Sequence, residues 1–142
     1  MENFTVACAE SCTGGLLMSR LTDFAGASAH VKGGVVAYVN EIKNKILRVE
    51  EETLKNFGAV SSQTALEMAT NVREIFSSTI GLSTTGVAGP DTSEGKPVGL
   101  VYAAIVGENF SEVKEFHFSG SRSEIKMQAA DAAFELLMRH TP

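Results

Sequence analysis

The 142-residue chain is short of cysteine, of positive charge, of histidine and of long apolar runs, and each shortage closes a class of function. The two cysteines, Cys8 and Cys12, stand on what reads as a strand and the turn after it, a poor geometry for a structural disulfide. No secretory signal pattern opens the chain, so a reducing cytoplasm is the expected location. With 12 basic against 17 acidic residues and a net charge of −5, no basic face is expected and nucleic acid is not an expected partner. Local cations can still hold one small anion. Apolar stretches are strand-sized and interrupted by glycine or charge, so neither a transmembrane helix nor a membrane partner is expected. His30, His117 and His140 lie apart from other catalytic signals, which argues against a Ser-His-Asp triad, and no Cys/His set has zinc-ligand spacing. Neither GxxxxGK[ST] nor GxGxxG occurs.

What is present has the rhythm of an α/β protein. Val6 to Ala9 reads as a buried strand, and Leu16 to Phe24 has helical periodicity, which leaves Glu10 to Gly15 as the turn between them. Gly33 to Val39 reads as a second strand. A short helix is expected over Asn40 to Val49, and another opens at Glu50-Glu51-Glu52 and closes at Gly58. Ser61 or Ser62 caps a longer helix carrying Ala65, Ala69, Val72 and Phe76. Thr79 to Ser83, Val98 to Val106 and Val113 to Phe118 are the last strands, with a shaped loop between the first two of these and a hairpin turn at Gly107-Glu108-Asn109. Ser121-x-x-Glu124 is a capping box that opens the final helix. This order implies a three-layer α/β/α sandwich on a mixed central sheet of about five strands, mixed because the late strands are joined by short turns. No repeat or low-complexity stretch interrupts it, and one domain over residues 1–142 is expected.

Four polar clusters fall at strand ends or helix starts, where open α/β sheets place their chemistry: Glu10 to Gly15, Tyr38 to Lys43, Thr84 to Lys96 and Ser119 to Lys126. Each also has a plain structural use. Ser11, Cys12 and Thr13 sit where a strand meets a helix N-terminus, as nucleophiles or as caps. Lys43 is a base if desolvation lowers its pKa, and otherwise a solvated helix lysine. Tyr38 is a proton carrier or an amphipathic rim residue, and Asn40 holds a site loop or caps the next helix. The Thr85–Gly89 loop is an oxyanion or phosphate cradle or simply a sharp connection, and Lys96 is a site cation or a strand-entry residue. Arg122 and Lys126, four apart in the first turn of a helix, suit a phosphate or a charged surface.

Taken together, AESCTGG at Ala9–Gly15, YxNxxK at Tyr38–Lys43, GAVS at Gly58–Ser61, TGVAGP at Thr85–Pro90, KPVG at Lys96–Gly99 and FSGSR at Phe118–Arg122 resemble the CinA C-terminal family over nearly the whole chain. Stand-alone members are nicotinamide mononucleotide deamidases. The resemblance therefore implies hydrolysis of the carboxamide to nicotinic acid mononucleotide and ammonia, in pyridine nucleotide recycling, with no metal, no cofactor and a homodimeric assembly. It implies Ser11 as nucleophile with Tyr38 and Lys43 as its proton-transfer partners. Substrate contacts are expected from Glu10, Thr13, Gly14, Asn40, Thr85, Gly86, Gly89, Lys96, Arg122 and Lys126, with Arg122 on the phosphate. Many relatives have arginine where this chain has Lys126, which keeps the charge but not the bidentate geometry. The competing expectation is a non-catalytic nucleotide-binding or protein-interaction module linked to competence and DNA damage.

Overall fold

The computed structural model describes residues 3–141. Its elements are β1 (Val6–Glu10), α1 (Leu16–Leu21), a 3-10 turn at Ala27–Ala29, β2 (Val31–Val36), α2 (Asn40–Lys45), α3 (Glu51–Phe57), α4 (Ser62–Phe76), β3 (Ile80–Gly86), β4 (Leu100–Val106), β5 (Ser111–His117) and α5 (Arg122–Arg139). The strands form one sheet in the order β2-β1-β3-β4-β5, parallel across β2, β1 and β3 and antiparallel beyond. The mixed three-layer α/β/α architecture expected from the sequence is the observed one.

β1 is the middle of the parallel part and is buried on both faces, which is why it reads as an uninterrupted apolar run. Val6 and Cys8 pack with Leu17 and Leu21 of α1 and with Ala130, Ala133, Leu136 and Leu137 of α5. Ala7 and Ala9 turn to the other side and pack with Met68 and Val72 of α4 and with Leu47 and Val49. Alternation along one strand thus supplies both interlayer cores. α4 lies directly on β3: a Cβ on Gly81 would stand 1.9 Å from the Ala69 carbonyl oxygen, and the Ser83 hydroxyl donates to the Ala65 carbonyl at 2.6 Å.

Several boundaries differ from the sequence expectation, each for a pairing reason. β1 includes Glu10, which pairs with Val36 and Thr84 on its two sides. β2 begins at Val31 and ends at Val36. Ala37 still donates to the Glu10 carbonyl, and then the chain leaves the sheet with Tyr38 and Val39 exposed. β3 runs on through Thr84, Thr85 and Gly86, because β4 continues to pair with it there. β4 begins at Leu100; the preceding Gly99, at φ +94, passes so close to the chain just after β5 that a Cβ would meet the Phe118 carbonyl oxygen at 1.9 Å. The β3–β4 connection is antiparallel although it is long; only the β4–β5 hairpin is joined by a short turn.

This topology decides where the polar clusters go. The carboxyl ends of β1, β2 and β3, the start of β4, the end of β5 and the start of α5 all lie at one edge of the sheet. β1 is also the strand at which the chain switches sides, passing to β2 through α1 and then back across to β3 through α4. Clefts form at such switch points.

Candidate active site

A cleft of about 570 Å³ opens at this edge, lined by Ser11 and Cys12 after β1, by Tyr38, Asn40 and Lys43 after β2, and by Thr85, Gly86 and Gly89 at the end of β3. Asp91, Ser93 and Glu94 from the β3–β4 loop and Arg122 from α5 complete its polar wall. With Ala59 and Val60 from the α3–α4 turn, five separated segments of sequence converge on one cavity.

Ser11 is 7% exposed and sits on the turn that follows β1. Its amide donates to the Thr84 carbonyl at 3.1 Å and its carbonyl accepts from Gly14. These backbone bonds fix the residue, and among the described residues its hydroxyl has no hydrogen-bond partner. The thiol of Cys12, beside it, is pushed up to about 12 chiefly by burial; its own amide and Lys43 pull it down, and the Glu10 charge adds a smaller upward push that Lys126 opposes. A thiol so held is protonated at neutral pH and is a poor nucleophile.

Lys43 belongs to the short helix α2 and is 1% exposed. Its Nζ donates to the Tyr38 carbonyl at 2.9 Å. Burial lowers its pKa below the ordinary lysine value, although Cys12 and Glu94 pull the other way. A buried lysine with a depressed pKa is how a protein makes an amine base. The Tyr38 side chain, 58% exposed, accepts from Arg122 Nη2 at 2.8 Å, while Nη1 of the same guanidinium donates to the Gly89 carbonyl. Arg122 therefore bridges the segment after β2 to the loop after β3 across the cleft.

Five of the residues expected from the sequence to touch substrate do not line this cleft: Glu10, Thr13, Gly14, Lys96 and Lys126. Glu10 is 1% exposed and turned inward, accepting from the Thr13 hydroxyl at 2.5 Å and from the amides of Gly15, Leu17 and Met18 at 3.1, 2.9 and 2.9 Å. These are the donors that the start of α1 leaves unpaired. The start of α1 is thus filled by the protein's own carboxylate. Thr13 spends its proton on Glu10 and accepts from the Thr84 hydroxyl at 2.8 Å. Gly14 faces Lys126 in a separate shallow depression. Lys96 donates to the carbonyls of Phe57 and Val60 and pairs with Glu94 at 3.3 Å, strapping the β3–β4 loop to the α3–α4 turn.

Two further differences concern residues that do line the cleft. Asn40 does not cap α2; Val39 holds the cap position with no side-chain bond, and Asn40 is the first helical residue. The Thr85 hydroxyl is engaged with the Ala59 carbonyl at 2.7 Å. Glu94 escaped the sequence reading. Burial raises its pKa, but the amides of Ala59 and Val60 and the Lys96 ammonium outweigh this and hold it below the usual carboxylate range. The acid-base pair two apart in Glu94-Gly95-Lys96 was the available signal.

The model of the CinA C-terminal domain matches residues 1–141. The chain belongs to the CinA C-terminal domain family. A competence-damage inducible protein of Desulforamulus reducens is 52% identical over 132 residues, 93% of this chain and 32% of its own length. The CinA-like protein of Syntrophomonas wolfei is 47% identical over 95% of this chain and 33% of its own. The chain thus spans about a third of the length of these curated CinA relatives. The solved competence/damage inducible protein from Agrobacterium tumefaciens superposes with a TM-score of 0.93 at 41% identity, covering 97% of this chain and 86% of that one.

Proposed function

We propose that this protein is an amidohydrolase that converts the carboxamide of nicotinamide mononucleotide to the carboxylate and releases ammonia. The observation that carries the reading is the meeting of a fixed serine, a buried lysine with lowered pKa and an arginine in one cleft. The substrate is taken from the family resemblance, and Arg122 is the residue here suited to its phosphate.

In this reading Lys43, as the neutral amine, takes the Ser11 proton while Oγ bonds to the amide carbon. The tetrahedral intermediate collapses with cleavage of the C–N bond, and the proton returns to the nitrogen, which leaves as ammonia. Water then adds to the seryl ester, Lys43 again takes the proton, and cleavage of the C–O bond frees the acid and Ser11. Tyr38 orients the substrate beside Arg122. The oxyanion donor is the Gly86 amide: Val87 N–H points to Leu100 of β4, so alternation turns the preceding N–H the other way, toward the end of β1 where Ser11 sits. No side chain fits at Gly86, since a Cβ would meet Val101 Cγ2 at 2.7 Å.

The test is release of ammonia and acid product from nicotinamide mononucleotide by wild type, Ser11→Ala, Cys12→Ala and Lys43→Ala. Wild type and Cys12→Ala are expected to turn over, with losses of roughly a thousandfold or more for the other two. A wild type that releases no ammonia sinks the reading, and an active Ser11→Ala sinks the mechanism.

A further inference from the structure

We propose that Glu10 is a positioning residue that makes Ser11, and not Cys12, the nucleophile of the β1–α1 turn; this rests on the amidase reading above. Two adjacent nucleophilic side chains line the same cleft, and nothing in their order along the chain decides between them. Glu10 immediately precedes both. Its carboxylate lies beneath the turn and gathers five donors, the Thr13 hydroxyl, the amides of Gly15, Leu17 and Met18, and the Cys8 thiol at 3.8 Å. The turn is therefore held from inside the protein, and the Ser11 hydroxyl is left without a competing bond.

The same arrangement acts on the cysteine. Unpaired amides at a helix start normally stabilise a nearby thiolate. Here those amides are consumed by a carboxylate that adds a buried negative charge beside Cys12. A second negative charge on Cys12 is disfavoured. Serine does not depend on prior ionisation, because its proton passes to Lys43 as the bond forms. One carboxylate thus fixes the geometry of the serine and adds to the burial that keeps the thiol protonated.

A purely structural cap would give stability alone, so two readouts are needed. The first is the rate at which iodoacetamide alkylates Cys12 at pH 8, followed by mass spectrometry of the Cys12 peptide. The second is steady-state turnover of nicotinamide mononucleotide. Glu10→Gln keeps the size of the side chain and one acceptor but removes the charge. It is expected to alkylate about tenfold faster at Cys12 and to lose about tenfold in kcat with KM within twofold of wild type. Thr13→Val, which removes one donor and leaves the charge, is expected to lose about threefold in kcat with alkylation unchanged.

Wild-type alkylation or wild-type kcat in Glu10→Gln overturns the proposal. Should Glu10→Gln fail to fold, Thr13→Val decides: a lowered kcat at unchanged KM supports the proposal, and wild-type kcat overturns it. If the wild type releases no ammonia, the amidase reading fails by itself, and faster or unchanged alkylation in Glu10→Gln still supports or overturns the control of Cys12.

Discussion

A lysine amine sealed from water is held between two opposed forces. Lys43 is 1% exposed, and burial lowers its pKa even though Cys12 and Glu94 favour its charge. In the unfolded chain the amine titrates near the ordinary value of about 10.4. Between the lowered folded pKa and that value the unfolded state holds more protons, so stability rises with pH across the window. Below the window the cost of burying the charge is fully present. Lys43→Met is therefore expected to melt several degrees above wild type at pH 7, with the gain shrinking as pH climbs toward 10, while turnover is lost. Thermal unfolding followed across pH checks the first half and ammonia release the second. The wild-type kcat/KM should rise with pH along an acidic limb, as the neutral amine becomes populated, with its midpoint below the ordinary lysine value. A profile flat from pH 6 to 9 counts against Lys43 as the base.

At the level of elements, local pattern and long-range contact divide the information between them. The capping box of α5 was legible because both bonds lie within four residues, Ser121 to the Glu124 amide and Glu124 back to Ser121. The Ser61 cap of α4 is equally local, accepting from the Thr64 amide at 3.1 Å. Ser61→Ala is expected to cost about 1 kcal/mol, read as a fall of a few degrees in melting temperature. The role of Glu10 was not legible: an acid at a strand end, expected to contact substrate, turns inward only because the turn brings three amides around it. The end of β3 was missed for a related reason. Thr84 and Thr85 look like loop, yet each polar side chain is satisfied by another element, at Thr13 and Ala59. Gly81 makes the dependence on tertiary contact testable. Its missing Cβ lets the α4 backbone sit on β3, so Gly81→Ala is expected to destabilise by about 3 kcal/mol or more, or to prevent folding. Denaturant unfolding that shows no loss contradicts the packing described for α4.

Across the whole molecule, the site exists because one sheet brings distant segments to a single edge, and Arg122 is where that assembly becomes a binding function. Its guanidinium comes from the start of α5 and touches Gly89 on the loop after β3 and Tyr38 on the segment after β2. Lys126, one turn later, faces Gly14 outside the cleft. Spacing along the helix made the two cations equivalent, and only the path of α5 across the sheet separates them. A phosphate entering the cleft meets the planar fork of Arg122, whose present partners are a neutral carbonyl and a hydroxyl and are readily exchanged for a dianion. Arg122→Ala is accordingly expected to lower kcat/KM for nicotinamide mononucleotide by about a hundredfold. For nicotinamide riboside, which has no phosphate, the same change should cost less than about threefold. Lys126→Ala should alter neither substrate by more than about threefold, the residual effect being its screened charge. Equal losses on both substrates for Arg122→Ala would assign the residue to holding the two loops together, and a large phosphate-dependent loss for Lys126→Ala would place the phosphate on the outer side of α1.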